Sequence, residues 1–345
     1  MRRFFGIVLE YHIAWHGLKT PATGPVNIFD EIRVRCREVA ERSTHVRVHL
    51  DRIEAYARSL PINRAIAPTL DAKSHYLREP RDTLAFFLTL DTINFGSGYF
   101  PHLKKRPGMS GYFTVASSLT DHYRAHGPIE PAALATLTVD DCAQIFGQDL
   151  KNPAVRELMQ LFSTALNDLG RLIIDRFTGE FTHLVEHAKH SAGRLVEILR
   201  QMKFFRDVEH YRGTEIPFYK RAQLTAADLS LALDRTGLGR FDDLDRLTIF
   251  ADNLVPHVLR IDGVLEYTPG LAERIDREEL IPAGSEEEIE IRAAAVDVVE
   301  RIRETLAESG QQVTSMGLDY ILWNRGQERH YKSIKPRHRT RTVFY

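Results

Sequence analysis

The stretch Ser285-Glu-Glu-Glu-Ile-Glu-Ile-Arg-Ala-Ala-Ala-Val-Asp-Val-Val-Glu-Arg-Ile-Arg-Glu-Thr-Leu-Ala-Glu-Ser-Gly310 decides the fold class. Its apolar residues Ile289, Val296, Val299, Ile302 and Leu306 recur at the period of one helix face. Ser285 stands as an N-cap with Glu288 three residues on, a capping box, and Gly310 supplies a stop. The spacing predicts a long amphipathic helix. Outward from it, Thr225-Ala-Ala-Asp228 predicts another helix opened by the same box, carried by Leu229, Leu231 and Leu233 and ended near Gly237. Similar patterns cover 28–60, 131–147, 153–177 and 180–206, with Gly- and Pro-containing loops at 96–111, 126–131, 212–217 and 262–270. Strand signals are confined to the alternating Val46-Arg-Val-His-Leu50 and to Thr340-Arg-Thr-Val-Phe-Tyr345. The expected fold is mainly α, packed helices of mixed orientation with few short strands. One domain over residues 1–345 is expected, open to reading as two packed helical subdomains with the site between them.

Composition narrows the function classes. A 345-residue chain that is 43% hydrophobic buries a substantial core, and a formal net charge of -1 gives no global field toward nucleic acid or anionic membrane. The two cysteines, Cys36 and Cys142, are too few for a disulfide framework and not spaced as metal ligands, so a cytoplasmic location is expected. The opening Met-Arg-Arg-Phe-Phe-Gly-Ile-Val-Leu-Glu10 resembles a leader only superficially, because Glu10, His12 and His16 interrupt its apolar run. No stretch reaches the roughly 18 apolar residues of a spanning helix, so a soluble protein is expected. Among the histidines, His183 and His187 are four apart, without an evident third ligand, and no metal site is expected.

Three separated segments mix a carboxylate with aromatic residues: Leu90-Asp-Thr-Ile-Asn-Phe-Gly-Ser-Gly-Tyr-Phe100, Phe250-Ala-Asp-Asn-Leu-Val-Pro-His257 and Leu318-Asp-Tyr-Ile-Leu-Trp-Asn-Arg-Gly-Gln327. A carboxylate in apolar company is costly unless it is paired or used. One such segment reads as an ion pair or a cap; three predict a pocket that holds a flat polar ligand.

The chain resembles the queuosine salvage protein family. The markers are Asp91-Thr-Ile-Asn-Phe95, Phe218-Tyr-Lys-Arg-Ala-Gln223, Ala251-Asp252 followed by Val255-Pro256, Asp319-Tyr-Ile-Leu-Trp323 and His338-Arg-Thr-Arg-Thr-Val-Phe-Tyr345. The resemblance implies a helical fold similar to helix-hairpin-helix DNA glycosylases. It also implies hydrolysis of queuosine 5′-monophosphate to release queuine, without metal or cofactor.

On that reading Asp252 is the catalytic carboxylate, set between two apolar stretches, where it stabilises an oxocarbenium-like ribose and orients water. Its alternative is a turn-fixing residue before Pro256. Lys220 and Arg221 fit the 5′-phosphate, or else form a solvated pair. Asp91 and Asp319 are candidates for the base edge and for the ammonium of its side arm. Phe95, Tyr99, Tyr320 and Trp323 are candidates to stack on the base, or are core. Asn94 and His49 are further binding candidates, whereas the resemblance carries no ligand role over to Ser97 or Tyr99. The basic segment Arg329–Arg341 permits a competing reading as a nucleic-acid-binding module or a polymer-acting glycosylase. The preferred expectation is that it packs back onto the acidic runs at 241–245 and 286–290, with no stable nucleic-acid partner.

Overall fold

A computed structural model describes residues 27–62 and 69–345; the reading of Met1–Glu10, His12 and His16 lies outside them. In chain order the helices are α1 (Ile28–Arg42), α2 (Ile53–Ser59), α3 (Pro80–Thr92), α4 (Gly111–His126), α5 (Pro131–Leu134), α6 (Val139–Phe146), α7 (Pro153–Phe177), α8 (Phe181–His187), α9 (Ala192–Leu199), α10 (Lys220–Ala232), α11 (Val255–Ile261), α12 (Pro269–Asp276), α13 (Glu286–Glu308), α14 (Ser315–Gln327) and α15 (Arg329–Ser333). Four short strands, β1 (Val46–Val48), β2 (Val208–Tyr211), β3 (Thr214–Pro217) and β4 (Leu265–Tyr267), form two separate antiparallel pairs, β1 with β4 and β2 with β3. The fold is mainly α, as the periodicity predicts.

Helix α13 is the hub. It packs against α1, α2, α11 and α14, and it is buried on more than the single face the apolar period indicates. Glu288, Glu290, Arg292, Asp297 and Glu300 are all inside. Each has partners, which is the condition for burying charge. Glu290 accepts the Thr44, His45 and Val46 amides and the Tyr211 hydroxyl. Asp297 pairs with Arg37 and Arg301, and Glu300 with Arg33, Arg303 and the Ser315 hydroxyl. Ser285 caps the helix by accepting from the Glu288 amide; the Glu288 carboxylate reaches the Gly284 amide and the Tyr345 hydroxyl.

Several expected boundaries move. The 28–60 pattern is broken by Ser43 and by β1, because Glu290 holds the 44–46 amides in place of helical carbonyls. The 212–217 loop is the turn and second strand of the β2–β3 hairpin, and the 262–270 loop contains β4. Thr225 does not open a helix. Helix α10 starts five residues earlier, at Lys220, and the Thr225 hydroxyl donates inside it to the Arg221 carbonyl at 2.9 Å. Residues 340–345 are coil, with one bridge from Arg339 to Leu280 beside them. Gly98 explains the coil's path: a Cβ there would lie 2.3 Å from the Thr340 carbonyl oxygen, so only glycine lets the C-terminal segment cross.

Candidate active site

Helix α10, the segment 250–257, helix α14 and the residues after α15 enclose a cavity of about 1220 Å³. That volume exceeds a typical small-ligand site. Residues 94–113 close another side.

The start of α10 explains how Lys220 reaches this cavity. Tyr219, the residue before the helix, has φ 47° and provides no side-chain cap. The cap comes from Asp207, whose Oδ2 accepts the Lys220 amide at 3.0 Å. Asp207 also forms a two-point ion pair with Arg292, at 3.0 and 2.7 Å. Arg292 in turn donates to the Ala251 carbonyl at 3.0 Å and lies 3.9 Å over the Phe218 ring. One buried pair therefore fixes both the helix end that carries Lys220 and the chain immediately before Asp252.

Asp252 uses Oδ1 to accept the Leu254 amide at 2.7 Å, so the turn-fixing role weighed for it exists, and the residue still lines the cavity. Asp319, on α14, accepts the Phe250 amide at 3.0 Å. Burial, then the Asp252 charge, pushes its pKa up to about 8, which favours the neutral acid near pH 7. Lys220 lies among carboxylates. Burial lowers its pKa, and Asp252, Asp319 and Asp91 act in the opposite direction.

A second carboxyl pair stands behind Lys220. Asp91 is fully buried, and among the described residues no donor reaches either of its oxygens. Thr225 lies beside it, but that hydroxyl donates to Arg221. Burial pushes the pKa of Asp228 up to about 7. Burial and then Asp228 raise Asp91 well above the usual carboxylate range. Burial therefore favours the neutral form of both carboxyl groups.

The sequence-nominated residues divide. Lys220, Asn94, Phe95, Asp252, Asp319, Tyr320 and Trp323 border the cavity. Phe95 is 1% exposed and lies under the Arg221 guanidinium, 4.9 Å away, so its ring is mostly committed to the core. Arg221 is not at the cavity. It donates to the Asp91, Thr92, Phe204 and Val343 carbonyls and is also stacked over Phe205, which leaves no face for a phosphate. Asp91 sits behind Asp228 rather than on the wall. Tyr99 donates to Glu157 at 2.9 Å outside the cavity, and His49 pairs with Glu266 at 2.8 Å near the β1–β4 edge. The Arg329–Arg341 segment does pack back, but on other acids than expected: Lys335 on Asp276, Arg339 on Glu278 and Arg341 on Glu157.

A family profile described as queuosine salvage protein matches residues 74–345. The chain belongs to that family. Three relatives bear the name queuosine 5′-phosphate N-glycosylase/hydrolase. The protein of Sphaerobacter thermophilus is 38% identical over 315 residues, 90% of this chain and 96% of the relative. That of Dictyostelium discoideum is 35% identical over 265 residues, covering 76% and 78%, and that of Mus musculus 32% over 247 residues, covering 68% and 72%.

This queuosine salvage family member also places residues at the cavity that the sequence reading missed. Asp228 follows Lys220 and Leu224 at four-residue steps on one face of α10, a signal hidden by the misplaced helix start. Asn253 donates to the Ser97 hydroxyl and the His338 carbonyl, both at 3.2 Å, joining three walls. Arg337 lines the cavity with no hydrogen bond or ion pair among the described residues. Nothing in the spacing of Lys335-Pro-Arg-His-Arg339 distinguishes it from its neighbours.

Proposed function

We propose that this protein hydrolyses the N-glycosidic bond of queuosine 5′-monophosphate, releasing queuine for transfer-RNA modification, in the cytoplasm and as a single domain. The observation that carries the reading is the meeting of Asp252, Asp319 and Lys220 in one aromatic-walled cavity of a queuosine salvage family member. No helix among the described residues is long and apolar enough to cross a membrane.

N-glycoside cleavage develops positive charge on the ribose and negative charge on the base. Queuine is a 7-deazapurine and offers no N7 to protonate, so stabilising the ribosyl cation is the larger task. Asp252 keeps Oδ2 free while Oδ1 holds the Leu254 amide; the free oxygen faces C1′ and orients the attacking water. Tyr320 and Trp323 take the base face, and Asn94 a ribose hydroxyl. Asp319 takes the guanine-like edge, whose two N–H donors favour the carboxylate. Base binding then releases the Asp319 proton.

Lys220 serves the chemistry rather than the phosphate. Its ammonium answers first to Asp252 and offsets the charge of that carboxylate at the reacting carbon. Lys220→Ala then lowers turnover of nucleotide and nucleoside alike, and selective loss on the nucleotide would return it to a phosphate role.

The deciding experiment incubates the purified protein with queuosine 5′-monophosphate, queuosine and GMP and follows base release by chromatography. Queuine released from the monophosphate with GMP untouched supports the reading; no release from any substrate defeats it.

A further inference from the structure

We infer that Arg337 receives the substrate's 5′-phosphate, making the segment after α15 a phosphomonoester subsite; the inference rests on the glycosidase reading above. Neither cation nominated by the sequence suits a phosphate. Arg221 is enclosed by backbone carbonyls, and the Lys220 ammonium, which makes no ion pair among the described residues, answers first to Asp252, the carboxylate placed at C1′. The 5′-carbon lies across the ribose ring from C1′, so the phosphate calls for a cation set apart from Asp252 and Lys220.

The C-terminal segment offers that place. Lys335 and Arg339 border the cavity but hold Asp276 at 3.0 Å and Glu278 at 2.7 Å. Arg337, between them, has no partner among the described residues. Arg337 is exposed and borders the cavity.

The backbone beside Arg337 is fixed. The His338 carbonyl accepts from Asn253 Nδ2 at 3.2 Å and the Arg339 carbonyl from the Ile281 amide at 2.8 Å. Asn253 is the neighbour of Asp252, so the anchor of Arg337 lies one residue from the proposed catalytic carboxylate. The Asp252 charge acts on Arg337. A ribose held with C1′ at Asp252 thus turns its 5′-phosphate toward a guanidinium on a pinned strand of chain. A free planar fork on fixed backbone suits two-point contact with phosphate oxygens.

Calorimetric titration with ribose 5-phosphate and with ribose tests the subsite without requiring turnover. Wild type should bind ribose 5-phosphate more tightly than ribose, and Arg337→Ala should weaken the phosphate ligand roughly ten- to hundredfold while leaving ribose unchanged. Arg337→Lys should retain part of the affinity, and unchanged circular dichroism should show that both variants fold. In turnover, Arg337→Ala should erode the preference for monophosphate over nucleoside by a similar factor. Ribose 5-phosphate that fails to bind wild type, or binds both proteins equally, overturns the inference. A wild type that binds it selectively but cleaves nothing defeats the glycosidase reading alone.

Discussion

Asp252 combines an observed duty, holding the Leu254 amide, with the catalytic one proposed for it, and substitution can separate the two. Asn retains the oxygen that accepts the Leu254 amide, and Asn and Asp are comparable local caps. Asp252→Asn should therefore keep the wild-type melting temperature while turnover falls roughly a thousandfold or more; a variant with near-normal rate removes Asp252 from the mechanism. Asp319 sets a pH dependence. Its pKa is near 8 in the folded empty protein and about 3.9 in an unfolded chain, so the folded state holds the proton more tightly. The stability this gives is complete below about pH 4 and lost as pH rises through about 8. The empty protein's melting temperature should fall between pH 6 and pH 8.5, and Asp319→Asn should flatten that slope. Queuine affinity should move the opposite way, rising with pH toward 8, because the bound form is the carboxylate. Arg292 ties Asp207 to the Ala251 carbonyl. Truncating it leaves Asp207 buried without its ion-pair partner, so Arg292→Ala should cost about 3–5 kcal/mol in denaturant unfolding.

Helix α10 shows how far the sequence can be read at the level of elements. Its existence follows from Leu229 and its neighbours, but its start does not, because the cap is Asp207, thirteen residues upstream, and the preceding residue is a left-handed Tyr219. A reader limited to local caps sets the start at Thr225 and loses the alignment of Lys220 with Asp228. The same limit hides Arg221, whose carbonyl partners lie on α3, on the chain after α9 and near the C-terminal end. Asp252, Asp319 and Trp323 were legible because a carboxylate or indole in an apolar run is conspicuous in one dimension. Arg337 was not, because its distinction is the lack of a partner that its neighbours have. Gly98 gives an element-scale test. An added Cβ meets the Thr340 and Arg341 backbone, which cannot swing aside as a side chain would. Gly98→Ala should displace the C-terminal segment, lower the melting temperature and, by moving the chain that follows Arg337, raise KM for the monophosphate.

At the scale of the molecule, the cavity is assembled from residues 69–113, 220–257 and 314–345, parts that meet only when the long-range packing around α13 is complete. No local fragment retains the site. Loss of activity and loss of far-ultraviolet dichroism should therefore coincide in a denaturant titration, and activity lost well before the helices would mean that one wall detaches independently. Trp323, one of two tryptophans in the chain, stands in that wall. A base stacked on its indole quenches emission, and departure of the base restores it. On the stacking proposed for Trp323, the protein would contain its own optical gauge of occupancy: in a single rapid-mixing trace, capture of substrate would darken the signal and escape of the base would brighten it, timing both ends of the cycle without a label.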